Sequence, residues 1–258
     1  MSSIDAREQT IAIKSPLVSI IIPTYCEEEN IERCIRSIKR QRLFESEKVE
    51  IIVVDSNSPD DTRVKSERHA DKVITIKDRG VSKARNAGAN QARGEFLLFL
   101  DADTLLDPEF LDEMCQSFAN PEVVCISGSV IGLEQLGFLD NLFKVLHYGF
   151  MNKVAALTAH IGFPLFPTVC CACRKSIFRE IGGFDEGLAI AEDLTFSLKI
   201  GKAGKCQLSK KAKAYTSLRR VKKNGRMKNY FIYFKNYFRV FILNQKPWIS
   251  EFPHTQEI

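Results

Sequence analysis

Two aspartates one residue apart, Asp101 and Asp103, directly follow five consecutive apolar residues at 96–100. A short apolar run without alternation is typical of a strand buried on both faces, so the aspartates mark the point where the chain leaves the core. In open α/β sheets, ligands bind at this carboxyl end. Carboxylates at i and i+2 on extended backbone face the same side, and oxygen ligands suit Mg²⁺ or Mn²⁺. The alternative is a solvated Asp-Ala-Asp turn, because Asp is common in turns.

A third carboxylate, Asp55, follows a second predicted strand at 49–54, whose last four residues are apolar. An earlier run occupies 18–22, and helix-like stretches separate these runs from one another. Alternating strands and helices at this spacing predict an α/β fold with a mostly parallel central sheet and right-handed crossovers. Because the carboxyl ends of parallel strands share one edge of a sheet, we expect Asp55 to lie near Asp101 and Asp103.

The remaining elements are placed by periodicity and by end signals. An apolar stripe, an acidic first turn and a basic last turn predict a helix at 27–42. Further helices are predicted at 62–70, at 82–92 before Gly94, at 108–118 from a proline suited to the first helical position, and at 191–203. Short apolar runs predict further strands at 72–76 and 170–173. The second of these holds three of the eight cysteines, which lack the spacing of a zinc site and are expected to be reduced, buried thiols.

Charge is distributed unevenly along the chain, although the net charge is only +5. No acidic residue occurs between Asp193 and Glu251, and this interval is rich in Lys and Arg. The asymmetry indicates an anionic partner, which would be phosphate groups, nucleic acid or a membrane surface. Residues 1–15 are expected to form a flexible leader without the apolar segment of an export signal, which favours a cytoplasmic protein.

Aromatic and basic residues segregate to opposite sides of a predicted amphipathic helix at 227–243. This pattern is typical of helices that lie in a membrane interface, and 137–159 predicts a second surface helix. The alternative is that the aromatic side packs on the rest of the protein and the basic side is solvated. No stretch of about 20 residues is apolar and unbroken enough to span a bilayer. We therefore expect at most a peripheral contact with an anionic membrane, at the inner face of the cell membrane.

Two common nucleotide-binding motifs are absent from the sequence. No Gly-x-Gly-x-x-Gly follows a predicted strand, and no Gly-x-x-x-x-Gly-Lys loop occurs. A dehydrogenase or an ATPase is therefore disfavoured. A nucleotide held at the strand ends would need a metal, rather than a glycine-rich loop, to neutralise its phosphates.

Six short motifs together resemble the family-2 glycosyltransferases of the GT-A fold. In the family's order they are SIIIPTYCE at 19–27, IVVDS at 52–56, ARN at 84–86, DAD at 101–103, GGFD at 182–185 and ED at 192–193. The resemblance implies a GT-A domain at 16–218, with a nucleotide-sugar half at 16–104 and an acceptor half at 105–218. A basic aromatic helix and tail would follow at 219–258.

The resemblance implies that a donor nucleoside lies against residues following the first two strands. Pro23, Tyr25, Glu27 and Asp55 would line the base and the ribose. Physical chemistry allows these roles, because an aspartate accepts hydrogen bonds from ribose hydroxyls and a tyrosine ring stacks on a base.

The diphosphate of the donor would lie at the Asp-Ala-Asp motif. Asp101, Ala102 and Asp103 would meet the donor there, and a divalent cation, Mg²⁺ or Mn²⁺, would bind Asp103 and Asp101, with Asp103 as the more direct ligand. Arg79 and Arg85 follow the third strand and would meet phosphates, Arg85 being the better bidentate donor. The alternative for each arginine is a solvated helix charge.

The acceptor side is expected to centre on the Glu-Asp pair that opens the last predicted helix. A carboxylate at a helix N-terminus is stabilised in its ionised form, which a general base requires. By the resemblance Asp193 is that base and Glu192 helps to hold the acceptor. The alternative for Asp193 is a helix cap. Arg219 or Arg220 would reach the diphosphate or a lipid phosphate.

The implied reaction is a metal-assisted, inverting transfer of one sugar from a nucleoside-diphosphate sugar to a hydroxyl acceptor, either lipid-linked or a glycan. The chain lacks the Gln-x-x-Arg-Trp motif of the family's processive synthases, which argues for a single transfer. Two other functions stay open at this point, a sugar-phosphate nucleotidyltransferase and a non-catalytic protein that binds nucleic acid. Because all the aspartates are present, we expect an enzyme without a nucleic-acid partner.

Overall fold

The structure is a computed structural model, and it describes residues 16–46, 48–134, 138–162, 164–188 and 191–219, together with Lys235 and Arg239. Within these ranges eight strands form one sheet. They are β1 (Val18–Thr24), β2 (Val49–Asp55), β3 (Lys72–Thr75), β4 (Phe96–Leu100), β5 (Thr104–Leu106), β6 (Val123–Gly132), β7 (Cys170–Arg174) and β8 (Lys205–Thr216). Their order across the sheet is β3-β2-β1-β4-β7-β6-β8-β5.

Helices cover both faces of this sheet. They are α1 (Ile31–Lys39), α2 (Arg42–Glu45), α3 (Thr62–Glu67), α4 (Val81–Gln91), α5 (Phe110–Phe118), α6 (Phe138–His160), α7 (Lys175–Glu180) and α8 (Glu192–Ala203). Buried residues of α1 and α5 share a core with one face of the sheet, and those of α4, α6, α7 and α8 share a core with the other face. The predicted α/β fold class is confirmed.

The first half of the sheet is parallel, as predicted. β1 lies between β2 and β4, and β3 follows β2 at the edge. Side chains alternate between the two cores, so that Ile20 and Ile22 face one core and Ile21 faces the other. Burial on both faces explains why β4 is a continuous apolar run and why β1 and β2 carry a single polar residue each, Ser19 and Glu50, before their carboxyl ends.

The second half of the sheet is mixed, which the sequence analysis did not predict. β7 runs antiparallel to β4 and to β6, while β8 runs parallel to β6 and antiparallel to β5. β8 lies within the basic interval that follows Asp193, and its lysines alternate with the buried residues Ala212 and Ala214. Part of the basic character therefore belongs to the exposed side of a strand.

The predicted helix at 27–42 is wrong at its start. α1 begins only at Ile31, because the preceding residues are held in a turn. Cys26 has a left-handed φ of 54°. The Glu27 N–H donates to Thr62 Oγ1 at 2.7 Å instead of joining the helix, and it thereby ties this turn to the start of α3.

An aromatic cluster fixes α8 on the sheet. The Phe99 ring of β4 meets Phe184 edge-on at a centroid distance of 5.0 Å, and Phe184 stacks on Phe196 of α8 at 4.3 Å. Phe178 of α7 lies 5.3 Å from Phe99. Burying such rings stabilises the packing and sets the position of the N-terminus of α8 relative to the end of β4.

Several predicted segments lie outside the described residues. They are the leader at 1–15 and almost all of the helix predicted at 227–243, along with Arg220. The surface helix predicted at 137–159 is confirmed as α6. Among the helices of the described ranges, none combines the length and the apolar character needed to cross a membrane.

Candidate functional site

The carboxyl ends of β1 and β2 meet at one edge, where Thr24 pairs with Asp55. The Asp55 side chain is only 1% exposed. It accepts hydrogen bonds from the Ser58 N–H at 3.0 Å, from the Ser58 hydroxyl, and from Thr24 Oγ1 at 3.3 Å. These donors fix the orientation of the carboxylate at the end of the strand.

Tyr25 and Arg79 lie together beside this carboxylate-bearing edge. The guanidinium carbon of Arg79 is 4.2 Å from the centroid of the Tyr25 ring, which is a cation–π contact. Both side chains were predicted to contact the donor, and the structure brings them into one cluster. Pro23, which was also predicted to line the base and the ribose, is half-buried in β1.

Arg85 of α4 connects the end of β4 with the start of α8. Its Nη2 donates to Asp101 Oδ1 at 2.9 Å, and its Nη1 donates to Glu192 Oε1 at 3.2 Å. The arginine is 2% exposed, and among the described residues its Nε has no hydrogen-bond partner. Burial lowers the pKa of the guanidinium, but the charges of Asp101, Glu192 and Asp193 outweigh burial, so that the pKa lies above its usual value.

A second arginine, Arg219, lies against the other half of the Asp-Ala-Asp motif. Its Nη2 is 3.3 Å from Asp103 Oδ2 and also donates to Glu27 Oε1. The backbone of the same segment reaches Asp103 as well, because the Ser217 N–H donates to the Asp103 carbonyl at 3.2 Å. Glu27 in addition accepts from the Asn30 amide at 3.0 Å. Residues far apart in sequence thus converge on Asp103.

Glu192 and Asp193 occupy the first turn of α8, as predicted. The preceding residue, Ala191, has a left-handed φ of 66°, which directs the chain sharply into the helix. Asp193 Oδ1 accepts from the Leu194 N–H at 2.8 Å, and its carbonyl accepts from Ser197 Oγ at 2.8 Å. The side chain is half-buried, and its charge acts on Arg85.

The acidic side chains of this edge fit a divalent cation in their chemistry. Asp101 and Asp103 offer carboxylate oxygens, which hard cations prefer, and each already attracts a positive guanidinium. The described residues contain no group of three or more His, Cys, Asp or Glu side chains arranged to hold a metal ion. Any metal would therefore keep several ligands from water or from a bound phosphate.

Asn86 was missed as a positioning residue, although it belongs to the Ala-Arg-Asn motif. Its amide donates to the Phe184 carbonyl at 3.0 Å, and its carbonyl oxygen accepts from the Phe184 N–H at 3.0 Å. Gly183 approaches Asn86 so closely that a Cβ would lie 2.7 Å from its oxygen. This clamp holds the glycine turn, with Gly183 at φ 65°, beside Arg85. Ser58 was missed as well, because one serine in a turn-rich stretch carries no distinctive signal.

This edge brings together strand-end carboxylates, three arginines and the Glu-Asp pair that opens α8. The family model described as Glycosyl transferase family 2 matches residues 19–182 of this chain. The chain belongs to that family, and the resemblance drawn from the six motifs is confirmed.

Named relatives agree with this assignment. Glycosyltransferase AglE of Haloferax volcanii is 35% identical over 195 residues, which cover 73% of this chain and 62% of AglE. The crystal structure of Staphylococcus aureus TarS 1–349 in complex with UDP-GlcNAc is 25% identical, with a TM-score of 0.61, over 78% of this chain and 58% of that one.

A third protein, mannosyltransferase PcManGT from Pyrobaculum calidifontis in complex with GDP-Man and Mn²⁺, shares the fold. It has a TM-score of 0.65 and 22% identity over 91% of this chain and 66% of that one. In all three comparisons the matched region spans less than two thirds of the relative. The chain therefore belongs to glycosyl transferase family 2 by sequence and shares the fold of these solved structures.

Proposed function

We propose that this glycosyltransferase moves one sugar from a nucleoside-diphosphate sugar to an acceptor hydroxyl with inversion, and that Asp193 is the general base. The main support is the link made by Arg85, which holds Asp101 of the predicted donor motif and Glu192 beside the predicted base in one arrangement. Proximity of donor and base is what an in-line displacement requires.

The donor nucleoside lies at the ends of β1 and β2. Asp55 is oriented by Ser58 and Thr24 and accepts ribose or base hydrogen bonds, while the Tyr25 ring stacks on the base. Pro23 borders the same position. Because one solved relative holds UDP-GlcNAc and another holds GDP-Man, a nucleotide sugar is the donor class.

Asp103 and Asp101 are the residues that would hold Mg²⁺ or Mn²⁺. The cation would neutralise charge on the departing diphosphate. Arg219 already neutralises Asp103 and Glu27, so a cation and this guanidinium compete for the same carboxylates. A displaced guanidinium suits a diphosphate, because arginine binds phosphate oxygens in a bidentate manner.

Asp193 removes the proton of the acceptor hydroxyl. Its position in the first turn of α8 favours the ionised carboxylate, since the helix dipole is positive at that end. The Arg85 guanidinium stabilises the nearby carboxylates of Asp101 and Glu192. Because it is planar and binds both of them, it also holds the start of α8 at a fixed distance from the donor motif. Glu192 accepts a hydrogen bond from Arg85 and thereby orients the guanidinium. The acceptor is a lipid-linked or glycan hydroxyl.

Family membership favours glycosyl transfer over the nucleotidyltransferase alternative. Thermal-shift measurements with UDP, GDP, ADP and CDP, each with and without Mn²⁺, test the donor site. A ligand that binds only the folded state raises the unfolding temperature. We expect one diphosphate to stabilise the protein more than the others, and to do so more strongly with Mn²⁺. Equal and negligible shifts for all four would contradict the proposed donor site.

A further inference from the structure

Helix α6 is apolar on both of its sides. One side packs on the sheet, where Ala155 and Ala159 are buried. Asn152 fixes this orientation, because its side chain accepts from the Val130 N–H at 3.2 Å and donates to the Val130 carbonyl at 3.0 Å. The side facing away from β6 also carries large apolar side chains, and a surface of this kind indicates a partner that covers it.

That outward side carries a mainly apolar surface, here named the outer stripe. It consists of Leu142, Leu146, Phe150, Leu157 and Ile161, flanked by Val145 and Met151. The five central side chains are 50–67% exposed, and they recur at the spacing of one helix face. In the described ranges, Val64 is the only exposed large apolar residue outside this group. Scattered exposed apolar residues are ordinary, but a contiguous stripe marks a docking surface.

The charged residue within the outer stripe is positive. No acidic residue occurs from 141 to 179 in the sequence. Lys153 is exposed and falls on the same helix face, between Phe150 and Leu157. A lysine surrounded by apolar side chains can extend its ammonium group to the phosphates of a lipid surface. The acid-free interval 194–250 adds positive charge elsewhere in the chain.

We infer that the outer stripe docks on an anionic phospholipid membrane, with α6 lying parallel to the bilayer surface. Apolar side chains with a lysine among them are typical of an interfacial helix, and the one acidic residue of α6, Asp140, lies in its first turn, before the outer stripe begins. Docking against a second copy of this chain is disfavoured, because the Lys153 side chains of the two copies would repel each other at the centre of the interface. The inference deepens the proposed function, since a lipid-linked acceptor would be presented at that surface.

Flotation of the full chain with vesicles tests this inference. The vesicles are phosphatidylcholine with or without phosphatidylglycerol, and the variant is Leu146→Glu combined with Phe150→Glu. Both positions are more than 60% exposed, so the substitutions leave the core unchanged. Val64→Glu is the matched control, because Val64 is 47% exposed and lies on α3. We expect wild type and V64E to float with anionic vesicles, and partitioning of the double variant to fall at least about tenfold.

The outcomes separate this surface from the basic C-terminal segment and from the transfer reaction. If the double variant floats like wild type, the outer stripe is not the membrane-docking face. If light scattering instead shows that wild type is a dimer and the double variant a monomer, the stripe is a subunit interface and the inference is wrong. Nucleoside diphosphate binding, measured on the same samples, should be equal in all variants, and its loss would concern the donor site instead.

Discussion

Replacing Arg219 by glutamine should strengthen Mn²⁺ binding in the absence of donor. The guanidinium pairs with Glu27 and Asp103, so a metal ion that binds Asp103 must first displace it. The side chain of Arg219 is 28% exposed and its two carboxylate partners are 11% exposed, and an ion pair that solvent partly screens contributes roughly 0.5–1 kcal/mol. Removing both pairs should therefore make the free energy of Mn²⁺ binding more favourable by about 1–2 kcal/mol, which corresponds to a Kd for Mn²⁺ about five- to thirtyfold lower in the variant.

Electron paramagnetic resonance of free Mn²⁺ measures this affinity directly and without turnover. Arg219→Lys keeps the positive charge and should remain near wild type. Arg93→Gln is the matched control, because Arg93 pairs with Glu50, a residue buried in β2 away from the Asp-Ala-Asp motif. An R219Q variant whose Mn²⁺ affinity is unchanged or weaker would refute the competition, and with it the placement of the cation at Asp103.

Two further predictions concern buried charges. Arg85→Gln should lower the free energy of unfolding by about 3 kcal/mol or more, because it leaves Asp101 and Glu192 without their buried partner. Arg85→Lys should restore part of this stability but little activity, since an ammonium group lacks the fork that spans both carboxylates; equal activity of R85K and wild type would count against a positioning role. The pKa of Glu50 is raised by burial but lowered more by hydrogen bonds from Ser19 and Arg93, so that it lies below its usual value. A carboxylate whose pKa is lower in the folded than in the unfolded state stabilises the fold at pH values above its pKa in the unfolded state. This stabilisation is lost as the pH falls through its pKa in the folded state. Glu50→Gln should therefore cost about 1–2 kcal/mol near neutral pH, and urea titrations should show the difference from wild type shrinking below about pH 4.

The parallel half of the fold could be predicted from local sequence because β1, β2 and β4 are buried on both faces. The run at 96–100 has no polar residue, and β4 has these same limits in the structure. The convergence of Asp55 with Asp101 follows from topology alone, since parallel strands end at one edge.

The antiparallel half could not be predicted because its signals are not local. β8 alternates lysines with small buried residues such as Ala212 and Ala214, and a lysine-rich stretch is easily taken for a solvated surface. Its pairing with β6 depends on residues about 80 positions away. The partners of Arg85 and Arg219 were hidden for a similar reason, because each arginine bridges carboxylates from separate segments.

The central claim is that Asp193 takes the proton of the acceptor while other residues hold the donor. The most direct measurement compares Asp193→Asn with wild type for sugar transfer and for donor affinity by isothermal titration. Asparagine keeps the size and the capping oxygen but accepts no proton at neutral pH, so we expect a rate loss of about a hundredfold or more and donor affinity within about threefold of wild type. Near-normal transfer by D193N would contradict the account.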